Sequence, residues 1–351
     1  MPKPRSAGVV LLASLAVFAL GASGAGAAAR VGRTAHAARP GGLVQAGNSK
    51  TTCIYATLGS QMRAAERATG VTYRCVEVFN TADPNWATWA SPWLTQSQFG
   101  YTRWVAADST RRTIILTQNL VPNNVAKLAN WRSKGASGAY DIYVRRLARN
   151  LVSAGLGYAV VRLGPEMNGP WESDWIGSTV TQERQWALYF ARIVRIMRAV
   201  PGAHFLFDWN VNAGYQNIPL ARYYPGDAYV DIVGIDAYDE SPIPLPPVGS
   251  SARWRTLTTE PLGLLEIYNF ARAHHKPASI PEWGTVSTYG DDGAYVAAMA
   301  QFVKTHVVAY ESWFDAGHDH ILQLDPVAAP KTLGAYVSGF GPRSLIGRYQ
   351  R

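Results

Sequence analysis

The sequence predicts an α/β protein built as a single (β/α)8 TIM barrel, and three observations carry that prediction. Eight short apolar runs alternate with amphipathic stretches from residue 51 onward. Two of the runs end in glutamate, at Glu166 and Glu282. A glutamate closing a buried parallel strand points into the mouth of such a barrel, where active sites form. The runner-up, a doubly wound open sheet, would need a glycine-rich fingerprint after its first strand, and Leu58-Gly59-Ser60 is not one.

The predicted strands are Cys53–Leu58, Arg74–Phe79, Thr113–Thr117, Tyr158–Gly164, His204–Trp209, Val230–Ile235, Ala278–Glu282 and Tyr310–Phe314. Each is an apolar run bounded by turn formers or charge. A barrel spends about 31 residues per unit. Cys53 to Glu166 and Glu166 to Glu282 each fit three units plus an insertion, and Glu282 to Trp313 fits one. The two glutamates therefore end strands four and seven. Between strands four and five, Thr179 and Gln182 form a capping box, Trp186, Tyr189, Phe190, Ile193, Met197 and Val200 recur at helical spacing, and Pro201-Gly202 stops the helix. Amphipathic stretches from Tyr140 to Ala154, Pro261 to Ala273 and Ala294 to Val308 supply further helices.

Residues 1–29 have the build of an export signal: Lys3 and Arg5, an apolar stretch from Gly8 to Leu20, then small residues to Ala29. Residues 30–50 form a basic, Ala- and Gly-rich arm expected to be disordered, and 51–351 the barrel domain. A secreted protein, off the membrane once the signal is removed, is the expectation. Lys3, Arg5, Arg30, Arg33 and Arg39 carry five of the nine net positive charges, and the remaining basic residues are dispersed. That pattern argues against a nucleic-acid partner. Cys53 and Cys75 are the two cysteines. In an exported chain an even count favours a disulfide between them, on strands expected to be neighbours.

Paired glutamates at these positions suit glycoside hydrolysis, in which one carboxyl protonates the leaving oxygen and the other attacks or activates water. The segment Arg162-Leu-Gly-Pro-Glu166-Met-Asn-Gly169-Pro-Trp171 resembles the acid/base motif of glycoside hydrolase family 26, the β-mannanase family of clan A. Asp208-Trp209-Asn210-Val-Asn212, Tyr224-Pro-Gly-Asp227, Val230 through Asp239, and Pro281-Glu282-Trp-Gly284 extend the likeness over about half the chain. The resemblance implies a retaining mechanism with Glu166 as acid/base and Glu282 as nucleophile. Arg162 or Tyr238 would supply the donor that keeps Glu282 charged. One position departs: the family usually places histidine before the acid/base, and this chain has Pro165, which brings neither a side-chain donor nor an N–H. The sugar therefore stays open among mannan, glucan and xylan. A carbohydrate-binding barrel without turnover is the alternative of a different class.

Sugar clefts mix aromatic platforms with amides. The candidates to bind a polysaccharide or oligosaccharide are Trp171, Trp209, Trp283, Trp313, Tyr238, Asn168, Asn210 and Gln118, with Trp313 expected beside the cleaved sugar. Trp86, Trp89, Trp93, Trp175, Asn119 and Asn212 belong to the same predicted rim. No metal or cofactor is expected. His318-Asp319-His320 reads as a solvated loop, and Asp231, Asp236 and Asp239 do not share one strand face for calcium. No H-E-x-x-H or G-x-S-x-G occurs, and a monomer is expected.

Overall fold

The computed structural model describes residues 51–81, 83–109, 111–216, 218–315 and 321–342. The export signal, the basic arm and His318-Asp319-His320 lie outside them. The strands are β1 (Thr51–Tyr55), β2 (Cys75–Asn80), β3 (Thr113–Gln118), β4 (Val160–Leu163), β5 (Leu206–Asn212), β6 (Ile232–Tyr238), β7 (Ala278–Gly284) and β8 (Val308–Phe314). They close into a parallel barrel in sequential order, β8 pairing with β1. All eight predicted strands are present. β5 and β6 run three residues further than predicted, because inward-facing Asn210, Asn212, Asp236 and Tyr238 interrupt the apolar pattern without ending the strand.

The outer layer contains α1 (Ser60–Thr69), α2 (Tyr101–Ala106), α3 (Asp141–Ser153), α4 (Val180–Arg198), α5 (Leu264–Ala273), α6 (Gly293–Thr305) and α7 (Pro330–Phe340). The Thr179 side chain caps α4 by accepting from Gln182 N–H, and Asp292 caps α6 in the same way. Among the described residues the β5–β6 crossover has only a 3-10 turn, Leu220–Arg222, since Gly214, Pro219, Pro225 and Gly226 break any longer helix there. Tyr223, Tyr224 and Phe270 fill the vacant wall by packing on Trp209. Among the described residues no helix is long and apolar enough to cross a membrane.

Strand alternation stacks the barrel interior in layers. The lowest is apolar: Cys53, Cys75, Ile115, Val160 and Ile232 pack with Tyr310. Cys53 and Cys75 are bonded to each other there, with Cα atoms 4.6 Å apart. Above it, Asp208 accepts from the hydroxyls of Ser279 and Tyr310, both at 2.6 Å. Gly234 faces this layer, where a Cβ would lie 2.3 Å from Asp208 Oδ1. Arg162 comes next, at the centre, and the polar mouth lies above it.

Candidate active site

Arg162 is fully buried and organises the mouth. Its Nη1 donates to Glu77 Oε1 at 2.9 Å and to Glu282 Oε1 at 2.5 Å. Its Nη2 donates to Asn210 Oδ1 at 2.8 Å and to Asp236 Oδ2. One guanidinium thus faces three carboxylates, and like-charge repulsion adds to burial. Burial, offset partly by Arg162 and reinforced by Glu282, raises Glu77 to about 7. Burial also pushes Asp236 well above the usual carboxylate range.

Glu282 sits where β7 is irregular. Pro281 has no N–H, and the register with β6 and β8 slips on either side of it. The slip turns both Ser279 and Glu282 inward. The carboxylate of Glu282 accepts from Arg162 at Oε1 and from the Tyr238 hydroxyl at Oε2, 2.8 Å away. Glu282 thus receives two hydrogen-bond donors, one of them a guanidinium.

Glu166 lies past the end of β4 in a turn with two left-handed residues, Gly164 at φ 63 and Glu166 itself at φ 43. Its N–H is anchored on Asn210 Oδ1 at 2.7 Å. The carboxyl accepts from Asn212 Nδ2 at 2.5 Å and from the Trp171 indole N–H. Burial and the charge of Glu282 raise it to about 7, against the pull of those two donors. The group is therefore available as an acid near neutral pH. One carboxylate oxygen from each of Glu166, Asp236 and Glu282 lies within 4.8 Å of the others.

The structure divides the predicted substrate contacts. Trp171 is 38% exposed and Tyr238 half-buried, and each touches one of the two glutamates. Trp209, Trp283 and Trp313 have no exposed surface and turn outward into the helix layer, so they do not stack on a sugar. Trp283 donates to Glu311 and packs on Trp313 and Tyr336. At the end of β8 the inward residue is Phe314, one position after the predicted Trp313. It meets Tyr55, Phe79 and Tyr238 across the mouth.

Gln118, Asn168 and Asn210 are buried as well and act through other residues. Gln118 accepts from Asn80 Nδ2 at 2.8 Å. Asn168 ties the loops after β4 and β5, donating to the carbonyls of Asn212 and Tyr215 and accepting from Asn212 N–H. Asn210 joins Arg162, Glu166 and Asp236. On the rim, Trp86 stacks on Tyr143, Trp89 donates to the Asn119 carbonyl, and Trp93 donates to the Phe79 carbonyl.

Sequence reasoning missed Glu77 and Asp236 as site residues. A position two residues before Tyr238 on the same strand face was the available signal for Asp236. The three aspartates weighed for calcium each face a different arginine: Asp231 pairs with Arg198, Asp236 with Arg162 and Asp239 with Arg253.

Residues 144–255 match the description "Glycosyl hydrolase family 26". Endoglucanase H of Acetivibrio thermocellus is 24% identical over 216 residues, which is 59% of this chain and 23% of that protein. The chain thus spans about a quarter of the length of that curated relative. An endo-beta-1,4-mannanase from Cellulomonas fimi shares the fold with a TM-score of 0.57 at 18% identity, over 82% of this chain and 70% of that one. The catalytic domain of the GH26 endo-beta-1,4-mannanase of Bacillus sp. JAMB-750 aligns with the same TM-score at 17% identity, over 84% and 85%. The matched segment runs from the helix before β4 through Glu166 and Asp236, and over that segment, about a third of the chain, the sequence is similar to glycosyl hydrolase family 26.

Proposed function

We propose that the protein is a secreted, retaining β-glycosidase that cuts a β-linked polysaccharide internally, with a mannan as the first substrate to test. The observation that carries the mechanism is the close approach of the Glu166 and Glu282 carboxylate oxygens, within 4.8 Å. Retaining enzymes hold their two carboxyl groups about 5 to 5.5 Å apart, whereas inverting ones leave about 6.5 to 9.5 Å for a water.

In this mechanism protonated Glu166 gives its proton to the leaving oxygen while Glu282 Oε attacks the anomeric carbon. The C–O bond to the leaving sugar breaks and an ester to Glu282 forms. Glu166, now ionised and steadied by Asn212 and Trp171, takes a proton from water, which attacks the same carbon and frees Glu282. Arg162 and Tyr238 orient the nucleophile throughout. The disulfide between Cys53 and Cys75 supports an oxidising compartment.

A second reading, a β-glucanase, is favoured by the likeness to Endoglucanase H. Reducing-sugar release from mannan, mixed-linkage glucan, cellulose derivatives and xylan separates the two. NMR of the first-formed product tests the stereochemistry. An inverted first anomer rejects the double displacement, and no release from any β-glycan rejects the enzyme in favour of a binding barrel.

A further inference from the structure

A cavity of about 240 Å³ lies outside the catalytic mouth, on the outer shoulder of the barrel. It sits between the helix Ser251–Thr259 and the first turns of α6, and its walls include Ser251, Arg253, Trp254, Ala294, Tyr295 and Ala298. Strand β6 separates it from the mouth. On the outer side the Tyr295 hydroxyl donates to the Ala237 carbonyl, and the next residue, Tyr238, reaches inward to Glu282. The surround is tied down. The segment before the helix Ser251–Thr259 carries Pro242, Pro244, Pro246 and Pro247. Arg253 Nη1 donates to the Pro246 carbonyl at 3.1 Å, and Gly249 N–H donates to Asp292 at 3.2 Å. These ties shape the cavity in advance, which lowers the ordering cost of binding.

The walls have no charge to spare. Arg253 is buried and shared by two carboxylates: its Nε donates to Asp239 Oδ1 and lies 3.7 Å from Asp292 Oδ2. Asp292 in turn accepts from the N–H groups of Ala294, Tyr295 and Gly249. An anion therefore meets no uncompensated cation here, and a metal ion no open carboxylate. What the walls do offer is donors and rings. A guanidinium has five N–H groups, and Arg253 places one nitrogen each on Asp239 Oδ1, the Pro246 carbonyl and the Asp239 carbonyl. Among the described residues the Ser251 hydroxyl and the Trp254 indole N–H have no hydrogen-bond partner. Trp254 and Tyr295 meet edge to face with ring centroids 5.8 Å apart, and Ala294 and Ala298 add apolar surface.

We propose that this cavity is a second sugar-binding site, which seats one neutral pyranose unit of a glycan. A pyranose presents a C–H face to an aromatic wall, and its hydroxyl and ring oxygens accept from N–H and O–H groups. These walls supply that combination. The volume falls below the roughly 300 to 1,000 Å³ of sites that enclose drug-sized ligands, so the cavity suits a single ring. A polymer held on this shoulder stays near the mouth, and a second foothold raises its effective concentration there. The proposal extends the reading of the protein as acting on a neutral β-glycan, while the site itself needs no turnover.

The test uses the full chain carrying Glu282→Gln, which halts turnover, and measures co-sedimentation with insoluble mannan, cellulose and xylan. Trp254→Ala removes one wall and Ala298→Trp fills the cavity; neither side chain bonds to a residue of the catalytic mouth. Each substitution is expected to weaken binding about 3- to 10-fold, the scale of one aromatic contact. In the chain with Glu282 restored, the same substitutions should lower kcat/KM on the polymer by a similar factor and leave it unchanged on a β-linked tetrasaccharide, which the mouth alone accommodates. A parent that binds none of the polymers overturns the proposal, as do variants that bind as the parent does. Equal losses on polymer and tetrasaccharide mean a structural role and overturn it too. Tighter binding to polygalacturonate than to every neutral polymer overturns the neutral-sugar assignment. If wild type cleaves no glycan, the enzyme reading alone falls, and co-sedimentation still decides this site.

Discussion

Asp236 holds Glu282 by its backbone rather than by its carboxylate: Oδ1 of Asp236 accepts the Glu282 N–H at 3.0 Å. The slip of β7 at Pro281 takes that N–H out of the ladder, and the aspartate captures it. The same carboxylate also reaches Arg162 and Asn210, so one side chain fixes Glu282, the Arg162 guanidinium and the anchor of the turn that carries Glu166.

Asp236→Asn should therefore lower kcat by about 100-fold, the scale of a misplacement of roughly 1 Å at a reacting group, with a much smaller change in KM. It should not lower the melting temperature greatly, because it removes one of three carboxylates crowded on a single guanidinium. Steady-state kinetics with thermal unfolding checks this. A large rise in KM at constant kcat would move Asp236 from positioning to substrate binding.

The two glutamates should fail differently. Glu282→Ala leaves no attacking carboxylate and should stop turnover of all substrates. Glu166→Ala should still form the glycosyl-enzyme from substrates with good leaving groups, and azide should accelerate the second step and give a β-glycosyl azide. NMR of the azide products reads the assignment, and an α-azide from the Glu166 variant would reverse the roles.

Activity should fall on the alkaline side as Glu166 loses its proton, with the limb of kcat/KM near its raised value of about 7. Asn212 and Trp171 favour the ionised form, so removing either donor raises that pKa further. In Asn212→Ala and Trp171→Phe the alkaline limb should therefore move to higher pH, whatever happens to the maximum rate. A limb that moves down in both variants contradicts Glu166 as the acid.

Stability should carry a separate pH signature from Glu311. This carboxyl is buried between β7, β8 and α7, accepts from Trp283 Nε1 at 2.7 Å, and is raised by burial to about 8. A carboxyl raised in the folded state holds its proton there and loses it in the unfolded chain. Folding stability thus declines as pH rises from the ordinary glutamate value, about 4.3, through about 8. Glu311→Gln keeps an acceptor for the indole and does not ionise. Its melting temperature should gain on wild type across that interval and hold the gain above it.

The disulfide closes a sequence separation of 22 residues inside the barrel floor. Cys53→Ala with Cys75→Ala should cost about 3 kcal/mol by loop entropy, read from urea unfolding, with little effect on KM, since the Asp208 and Arg162 layers separate the disulfide from the mouth.

Much of the barrel was legible because strand spacing and apolar runs survive without tertiary information. Glu166, Glu282, Arg162 and Tyr238 were legible as a set because each ends or lines a strand. What failed was phase. Trp313 and Phe314 are adjacent aromatics at a strand end, and only the pleat decides which one enters the lumen. Trp209 fills a wall that a missing helix left open, a vacancy that no local pattern announces. The amides Gln118, Asn168 and Asn210 have the composition of a sugar cleft, yet backbone groups, carboxylates and Arg162 claim their hydrogen bonds first. Asp236 looked like one of several scattered acids because its partners come from β4, β5 and β7.

Glu166 occupies a left-handed backbone conformation that glycine adopts freely and glutamate does not, at about 1 kcal/mol. It also places a partly desolvated carboxyl beside another. Turnover and foldedness therefore pull in opposite directions at this one codon. A lineage released from selection for hydrolysis would drift toward glycine here, and its silent descendants would melt later than the active ancestor.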